Sequence, residues 1–338
     1  STTAIPTVVP TATPTVVPTA TPTALPTPTP TPIGMAYISG DLETLRLGHL
    51  LRRAGFGANA EEMKAYKQIG LDRTIEHLIE YENVDNSSLD KRLEQIEWDL
   101  ETAIQLRQWW LLRMIYTQRP LEEKMTLFWH GILTSSRKKV GKGPWMYQQN
   151  QLLRQHALDT YDVMLKAISR DPAMLIWLDS RKNRKKAPNE NYSRELMELF
   201  SMGVGTFSEL DVRESARSFT GWFVNKKKGF YFRSNEHDFG IKNFIGQTGN
   251  FGGDDIVDII LQQPSTSRYI ANRLFSYFVH DEPEPESVEA LAKVFRDNKY
   301  SIKSMIRHIL SSEEFYSARA YRAKIKSPVE LVVGATRT

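Results

Sequence analysis

Residues 189–200 read Asn189-Glu190-Asn191-Tyr192-Ser193-Arg194-Glu195-Leu196-Met197-Glu198-Leu199-Phe200, and their spacing decides the class of fold. At 100° per residue, Glu190, Asn191, Arg194, Glu195 and Glu198 fall within an arc of about 140°, while Tyr192, Leu196, Leu199 and Phe200 take the opposite side. A segment with one polar and one apolar side is an amphipathic helix lying on a core. The same period recurs outward in both directions. Upstream it predicts helices over 41–51 (stopping at Gly55-Phe56-Gly57), 60–81, 89–116, 120–129 and 148–169. In the third of these, Ile96, Leu100, Ile104, Trp109, Leu112 and Ile115 form the expected buried side. Downstream it predicts helices over 209–220, 254–261, 265–279, 285–295 and 301–310, and a further one opened by Ser327-Pro328. The exception is Trp222-Phe223-Val224 and Phe230-Tyr231-Phe232 around a Lys-rich turn ending at Gly229, which reads as a short β-hairpin. The expected fold is therefore mostly α, a multi-helix globular domain with one short hairpin.

The beginning of the chain is a different polymer. Of 17 prolines, nine fall in residues 1–32 beside twelve threonines, and no charged residue precedes Asp41. Proline fixes φ and removes a backbone donor, so a proline every second to fourth position excludes helix and sheet interior and leaves polyproline II. At about 3.1 Å per residue, Pro6 to Pro32 would span on the order of 80 Å. Thr beside Pro also suits O-glycosylation. We expect 1–40 to be a disordered Thr/Pro-rich spacer and 41–338 the helical domain. Spacers of this kind stand between an export signal or anchor and a working domain, so the expected setting is extracellular or cell-envelope. Ser1 in place of an initiator Met reads as a chain whose preceding segment was cleaved, trimmed or never sequenced, and a last helix abandoned at Thr338 reads as a chain incomplete at its C-terminus.

The 338 residues hold 44 Lys and Arg against 40 Asp and Glu, and no cysteine. That excludes a disulfide scaffold, a thiolate zinc site and a cysteine nucleophile. No apolar run approaches the roughly 18 residues needed to span a bilayer. HExxH, GxSxG and phosphate-cradling glycine loops are all missing from the sequence, which removes the commonest metalloprotease, serine hydrolase and nucleotide-binding readings.

Chemistry is densest on the 189–200 helix. Its polar face is either a solvated ion ladder, with Glu190 and Glu198 flanking Arg194, or a cleft wall on which Glu195 and Glu198 act as an acid/base pair or as ligands of a divalent metal. Downstream, Ser208 and Asp211 form a capping box for a helix carrying Glu214 and Arg217, whose charges suit a helix-locking network. His237-Asp238-Phe239-Gly240-Ile241-Lys242 is a glycine-marked loop. There His237 and Asp238 can ligate a metal, carry a proton or simply fasten the loop. His130, at the end of Leu127-Phe128-Trp129-His130, reads by default as a core histidine.

Charge is unevenly distributed. Residues 130–232 carry 18 basic and 10 acidic side chains, a net of +8 against −4 for the remainder. Loops at Arg137-Lys138-Lys139, Arg181 to Lys186 and Lys226-Lys227-Lys228 supply much of it, and they suit an anionic polysaccharide or envelope surface. Without interleaved aromatics to stack bases, nucleic acid is disfavoured.

Several strings resemble one bacterial family. They are His49-Leu50-Leu51-Arg52-Arg53-Ala54-Gly55-Phe56-Gly57, Phe128-Trp129-His130, Arg170-Asp171-Pro172-Ala173-Met174-Leu175, the 189–200 motif, Asp211-Val212 through Thr220-Gly221-Trp222, His237-Asp238 through Lys242, and Lys326-Ser327-Pro328-Val329-Glu330. In this order, from about residue 43 onward, they resemble the domain of unknown function 1800 family. The resemblance implies a helical, typically exported protein with no established reaction, whose gene often neighbours that of a sulfatase-like protein, a candidate partner. It marks Glu190, Arg194, Glu195, Glu198, Arg217, His237, Asp238 and Lys242 as motif residues without assigning them roles. Ile132 stands where many relatives carry a second histidine, so the resemblance does not supply a His-x-His pair at His130. Two functions stay open. One is a hydrolase or transferase acting on an extracellular polymer, with Glu195 or Glu198 as acid/base, His237 and Asp238 as ligands or proton carriers, and Glu190, Asn191, Arg194, Arg217, Lys242 and His130 binding. The other is a non-catalytic surface scaffold or binding protein.

Overall fold

Asp41 opens the first helix, its carboxylate accepting the Glu43 N–H at 3.3 Å. The structure, a computed structural model, describes residues 41–225, 227 and 229–337; the Thr/Pro-rich arm expected over 1–40 lies outside the described residues. In chain order the elements are α1 (Leu42–Arg53), α2 (Ala60–Ile69), α3 (Leu71–Ile79), α4 (Ser87–Glu94), α5 (Ala103–Tyr116), α6 (Pro120–Ile132), α7 (Arg137–Val140), α8 (Gly143–Gln155), α9 (Tyr161–Ser169), α10 (Pro172–Trp177), α11 (Asn191–Glu198) and α12 (Glu209–Ser218). The strands β1 (Trp222–Asn225), β2 (Gly229–Phe232), β3 (Lys242–Phe244) and β4 (Gln247–Gly249) follow, then α13 (Gly253–Leu261), α14 (Pro264–Phe278), α15 (Pro285–Asp297), α16 (Ile302–Ser311) and α17 (Pro328–Arg337). The chain is mostly α, as its periodicity predicts.

Three expected helices are each two. The 60–81 segment breaks at Gly70, whose φ of +79° is costly for any residue with a Cβ. The 89–116 segment breaks after Glu94. There Asp99 accepts the Thr102 hydroxyl at 2.5 Å and the Glu101 N–H at 3.0 Å, a side-chain turn that outcompetes helix. Ile96 and Ile104, expected to be buried, are exposed as a result. The 148–169 segment breaks after Gln155, where Thr160 pairs with Ser301 and the Tyr161 N–H donates to the Tyr300 carbonyl. Two smaller corrections follow. Arg137-Lys138-Lys139 form the short helix α7 rather than a loop, and Leu199 points outward instead of joining the core.

The expected hairpin is present, pairing Trp222 with Phe232 and Val224 with Phe230. The sequence reading missed a second one, β3 with β4. Its turn puts Ile245 at φ +48° and Gly246 at +73°, and Ile245 is held there by donating its N–H to Asp211 Oδ1 at 2.8 Å. A β-branched residue gives no sequence signal for such a turn.

One apolar core runs from Leu50 to Ala320. At its centre the Trp129 ring stacks on Tyr161 with centroids 5.4 Å apart, while Trp129 Nε1 donates to the Ala157 carbonyl at 2.9 Å and the Tyr161 hydroxyl donates to the Phe200 carbonyl. The early and late helices meet: α3 packs on α16 and α5 on α17. Buried Lys124 of α6 pairs with Glu330 of α17. Arg337 donates to the carbonyls of Met114, Ile115 and Thr117 at the end of α5.

Candidate functional site

α11 and α12 approach through small residues, with the Ser215 hydroxyl donating to Ser193 at 3.0 Å. Their polar sides carry the ion ladder, although one partner differs from expectation. Arg194 reaches Glu190 at 3.4 Å and makes a two-pronged contact with Glu209 of α12 at 2.9 and 2.8 Å, and Arg213 lies 3.7 Å from Glu190. Glu198 takes no part. Among the described residues neither the Glu195 nor the Glu198 carboxylate has a hydrogen-bond or ion-pair partner, and burial, with the neighbouring Glu198 charge adding to it, raises the Glu195 carboxyl. Asn191 is exposed, its N–H donating to Asn189 Oδ1.

The capping box of α12 is present as expected from Ser208 and Asp211. Arg217, on the last turn, grips Glu214 at 3.0 and 2.8 Å and Asp238 at 2.8 Å, and donates to the Ile241 carbonyl at 3.2 Å. The second Asp238 oxygen accepts the Gly240 N–H at 2.8 Å. These contacts hold the Asp238 carboxyl below its usual range, chiefly through Arg217. Buried Lys242 donates to the Asp238 carbonyl at 2.5 Å, and burial lowers its ammonium. His237 Nδ1 lies 2.7 Å from the Thr220 carbonyl, its ring edge-on to Phe232 and Phe239, and burial lowers its pKa. The Asp238 N–H donates to the Thr220 hydroxyl. The structure thus brings Glu214, Arg217, His237, Asp238 and Lys242 together as a closed network that fastens the 237–243 loop onto α12. Among the described residues no hydrogen bond or ion pair joins it to Glu195 or Glu198, and no group of three or more His, Asp and Glu side chains converges to hold a metal.

His130 is placed differently from a core residue. It lines a cavity of about 330 Å³ with Trp109, Trp110, Ser135, Tyr147 and Asn150. A second cavity of about 700 Å³ adjoins it at Trp109 and Tyr147, and takes in Trp98, Asp90, Glu94, Arg113 and Gln151. The Trp109 and Tyr147 rings stand 4.8 Å apart at 60°, and Trp110 meets His130 edge-on at 5.2 Å. Burial lowers the His130 pKa.

The floor beneath these aromatics is rigid. Buried Glu123 accepts from Trp110 Nε1 at 2.9 Å, from Arg113 at 3.1 Å, and from Arg154 at 2.6 and 3.0 Å. Burial alone would raise this carboxyl, but Arg154 and Arg113 outweigh it and hold it ionised. The two guanidinium carbons lie 5.3 and 5.7 Å from the Trp109 ring centroid. The rim is fixed where Gly143 opens α8: its N–H donates to Glu101 Oε2 at 3.0 Å, and a Cβ there would lie 1.7 Å from the Leu100 carbonyl oxygen.

The sequence reading placed Trp109 on the buried side of 89–116, where it is indeed packed at 4% exposure with Leu89 and Leu93, but it did not foresee the cavities beside that ring.

Against known proteins, the family described as Protein of unknown function (DUF1800) matches residues 49–338. The chain belongs to the DUF1800 family. No curated protein and no solved structure matches it. The DUF1800 match begins at His49 on α1 and runs past Glu330 on α17, two segments that the fold sets side by side. The Trp cleft and the α11–α12 network both lie within it.

Proposed function

We propose that this DUF1800 chain is an exported carbohydrate-binding protein whose aromatic cleft holds a run of sugar units at the cell envelope. The observation that carries the reading is the pair of adjoining cavities sharing Trp109 and Tyr147, flanked by Trp98 and Trp110. A pyranose ring has a flat C–H face that packs on an indole or phenol, and a rim of hydroxyls that needs carboxylates, amides and guanidinium groups. Asp90, Glu94, Arg113 and Gln151 supply these in the larger cavity, and Ser135, Asn150 and His130 in the smaller. Support for the exported setting comes from the Thr/Pro composition of residues 1–32, which suits a spacer holding a binding domain away from a surface.

Tryptophan fluorescence tests the reading, because three of the seven tryptophans border the cleft. Titration with a neutral glucan oligomer and an acidic uronate oligomer should give a saturable change with at least one of them. Trp98→Ala should weaken it by about 2 kcal/mol, roughly 30-fold, as for an aromatic anchor at an interface. No saturable change with either oligomer, or unaltered affinity in Trp98→Ala, would refute it.

A second reading rests on the two unpartnered carboxylates of α11. With Glu195 raised by burial and Glu198 one turn away, the pair suits acid/base hydrolysis of the same polymer. Turnover of a bound oligomer that disappears in Glu198→Gln, with binding retained, would favour it.

A further inference from the structure

The last turns of α1 carry His49, Arg52 and Arg53, and the strand of chain leading into α17 carries Arg322, Lys324 and Lys326. Nearly 270 residues separate the two sets in sequence, yet they line one cavity of about 410 Å³. We propose that this cavity is a binding site for an organic oxyanion, a phosphate or sulfate monoester. It shares no lining residue with the aromatic cleft and is independent of the sugar-binding reading.

The charge balance is the first argument. Five basic side chains line the cavity against one carboxylate, Glu330. Glu330 is already committed, pairing with buried Lys124 and accepting the Ser327 N–H at 2.8 Å. Lys324 is paired with Asp281. Arg53 donates to the Phe278 carbonyl at 2.9 Å and to the Tyr277 carbonyl, with Glu330 and Asp281 as the carboxylates that act on its charge from further off. Among the described residues Arg52, Arg322 and Lys326 meet no carboxylate. Arg322 lies close enough to Arg52 to disfavour its charge, and burial first and then Arg52 and Arg53 push His49 down to about 4. Fixed cations gathered in a partly desolvated concavity favour an anion far more strongly than the same charges spread over an open surface.

Unfinished hydrogen bonding is the second. His49 lines the cavity at 1% exposure with Nε2 lacking a partner, and Arg52 Nη2 is likewise buried and unpartnered. The Arg52 N–H is a donor whose unsatisfied burial costs free energy that a ligand oxygen recovers, whereas the neutral His49 ring, bonded to the Phe315 backbone, offers Nε2 as an acceptor for a hydroxyl of the ester. Arg52 also lies over the Tyr321 ring at 5.8 Å, so its fork is pre-oriented.

Size and lining point to an ester rather than a bare ion. A tetrahedral anion fills only a fraction of this volume, and Phe56 and Gly55 give one wall an apolar surface suited to the alcohol part.

Calorimetry on the full chain tests this at constant ionic strength set with chloride, using inorganic phosphate, inorganic sulfate, glucose 6-phosphate, a sulfated monosaccharide and unmodified glucose as probes. At least one ester should bind saturably at millimolar Kd or tighter, more strongly than either the matching inorganic anion or glucose. The two esters separate a phosphate source from a sulfate one. Arg52→Ala and Lys326→Ala should each weaken binding at least about tenfold, as expected when a charge-assisted contact is lost. Lys326 is exposed, so its variant keeps the fold. Arg268→Ala, on a surface pair with Glu289, and Trp98→Ala in the cleft should leave binding unchanged. The proposal is overturned if no ester binds, if only the bare anions bind, or if Lys326→Ala and Arg52→Ala bind like the wild type.

Discussion

Glu122→Gln should stabilise this protein above neutral pH and leave it unaltered in acid. Glu122 stands on the first turn of α6 at 7% exposure, with Oε2 unpartnered and its nearest cation, Arg119, 3.7 Å away. Burial, and then the ionised Glu123 beside it, push its carboxyl from 4.5 to about 7. The folded state therefore keeps a proton that the unfolded chain releases between pH 4.5 and 7, so this group's contribution is fully present below 4.5 and is lost as pH rises through 7. A displacement of that size, at about 1.4 kcal/mol per pH unit, amounts to roughly 3 kcal/mol by pH 8. Glutamine has nearly the same shape and never ionises, so the variant escapes the penalty. Urea denaturation followed by circular dichroism, in steps from pH 4.5 to 8, should show the two proteins coinciding at the acid end and diverging by up to about 3 kcal/mol at the basic end. Asp171, also pushed up to about 7 by burial, imposes a slope of the same sign on both proteins, and the difference between them isolates Glu122. Parallel stability curves across the whole range would show that Glu122 is not a buried, proton-retaining group.

Two further outcomes test the frame around the sites. Gly143→Ala should cost several kcal/mol, on the order of 4, because its Cβ would lie 1.7 Å from the Leu100 carbonyl oxygen; hydrogen exchange should rise across residues 95–102 at the cleft rim. Glu330→Gln should remove about 3 kcal/mol at neutral pH, read from urea denaturation. Burial alone would raise Glu330, but Lys124 outweighs it and brings the carboxyl to about 2, so its contribution is present above pH 4.5 and lost as pH falls through 2. An unchanged acid limb in that variant would count against the Lys124 pairing.

Local chemistry made most helices legible. Asp41, Ser208 and Ser301 accept backbone N–H groups where a helix start was expected, and the polar face of 189–200 lies on the surface as its angles required. Periodicity failed where it ran on through a break, because Gly70 and the Asp99 turn interrupt the backbone without disturbing the spacing of apolar residues. Partner choice was illegible for a different reason. Arg194 prefers Glu209 over Glu198, a contact between helices that i to i+4 spacing cannot contain. The His237 loop was correctly picked out as a convergence of charges, while its saturation by Arg217 depends on distances that only the fold fixes. The basic cavity was hidden by arithmetic. Its residues come from two flanks whose summed charge is negative, so segment totals pointed to the middle of the chain instead.

The union of α17 with the early helices also sets a timetable. Arg337 reaches back 275 positions to Glu62, and Val333 packs between Phe56 and Met114. Closing a loop of that length costs about 5 kcal/mol of chain entropy before any contact offsets it. At roughly 5 to 20 residues per second, the first five helices wait on the order of 10 to 60 s after their own synthesis for their cover to emerge. Throughout that interval the side of Phe56 and Met114 that Val333 will cover stays open, with only Trp110, Leu111, Ile115 and Leu127 packed beside it. Substitutions at this seam should therefore lower the yield of folded protein more than they lower the stability of the molecules that succeed in folding.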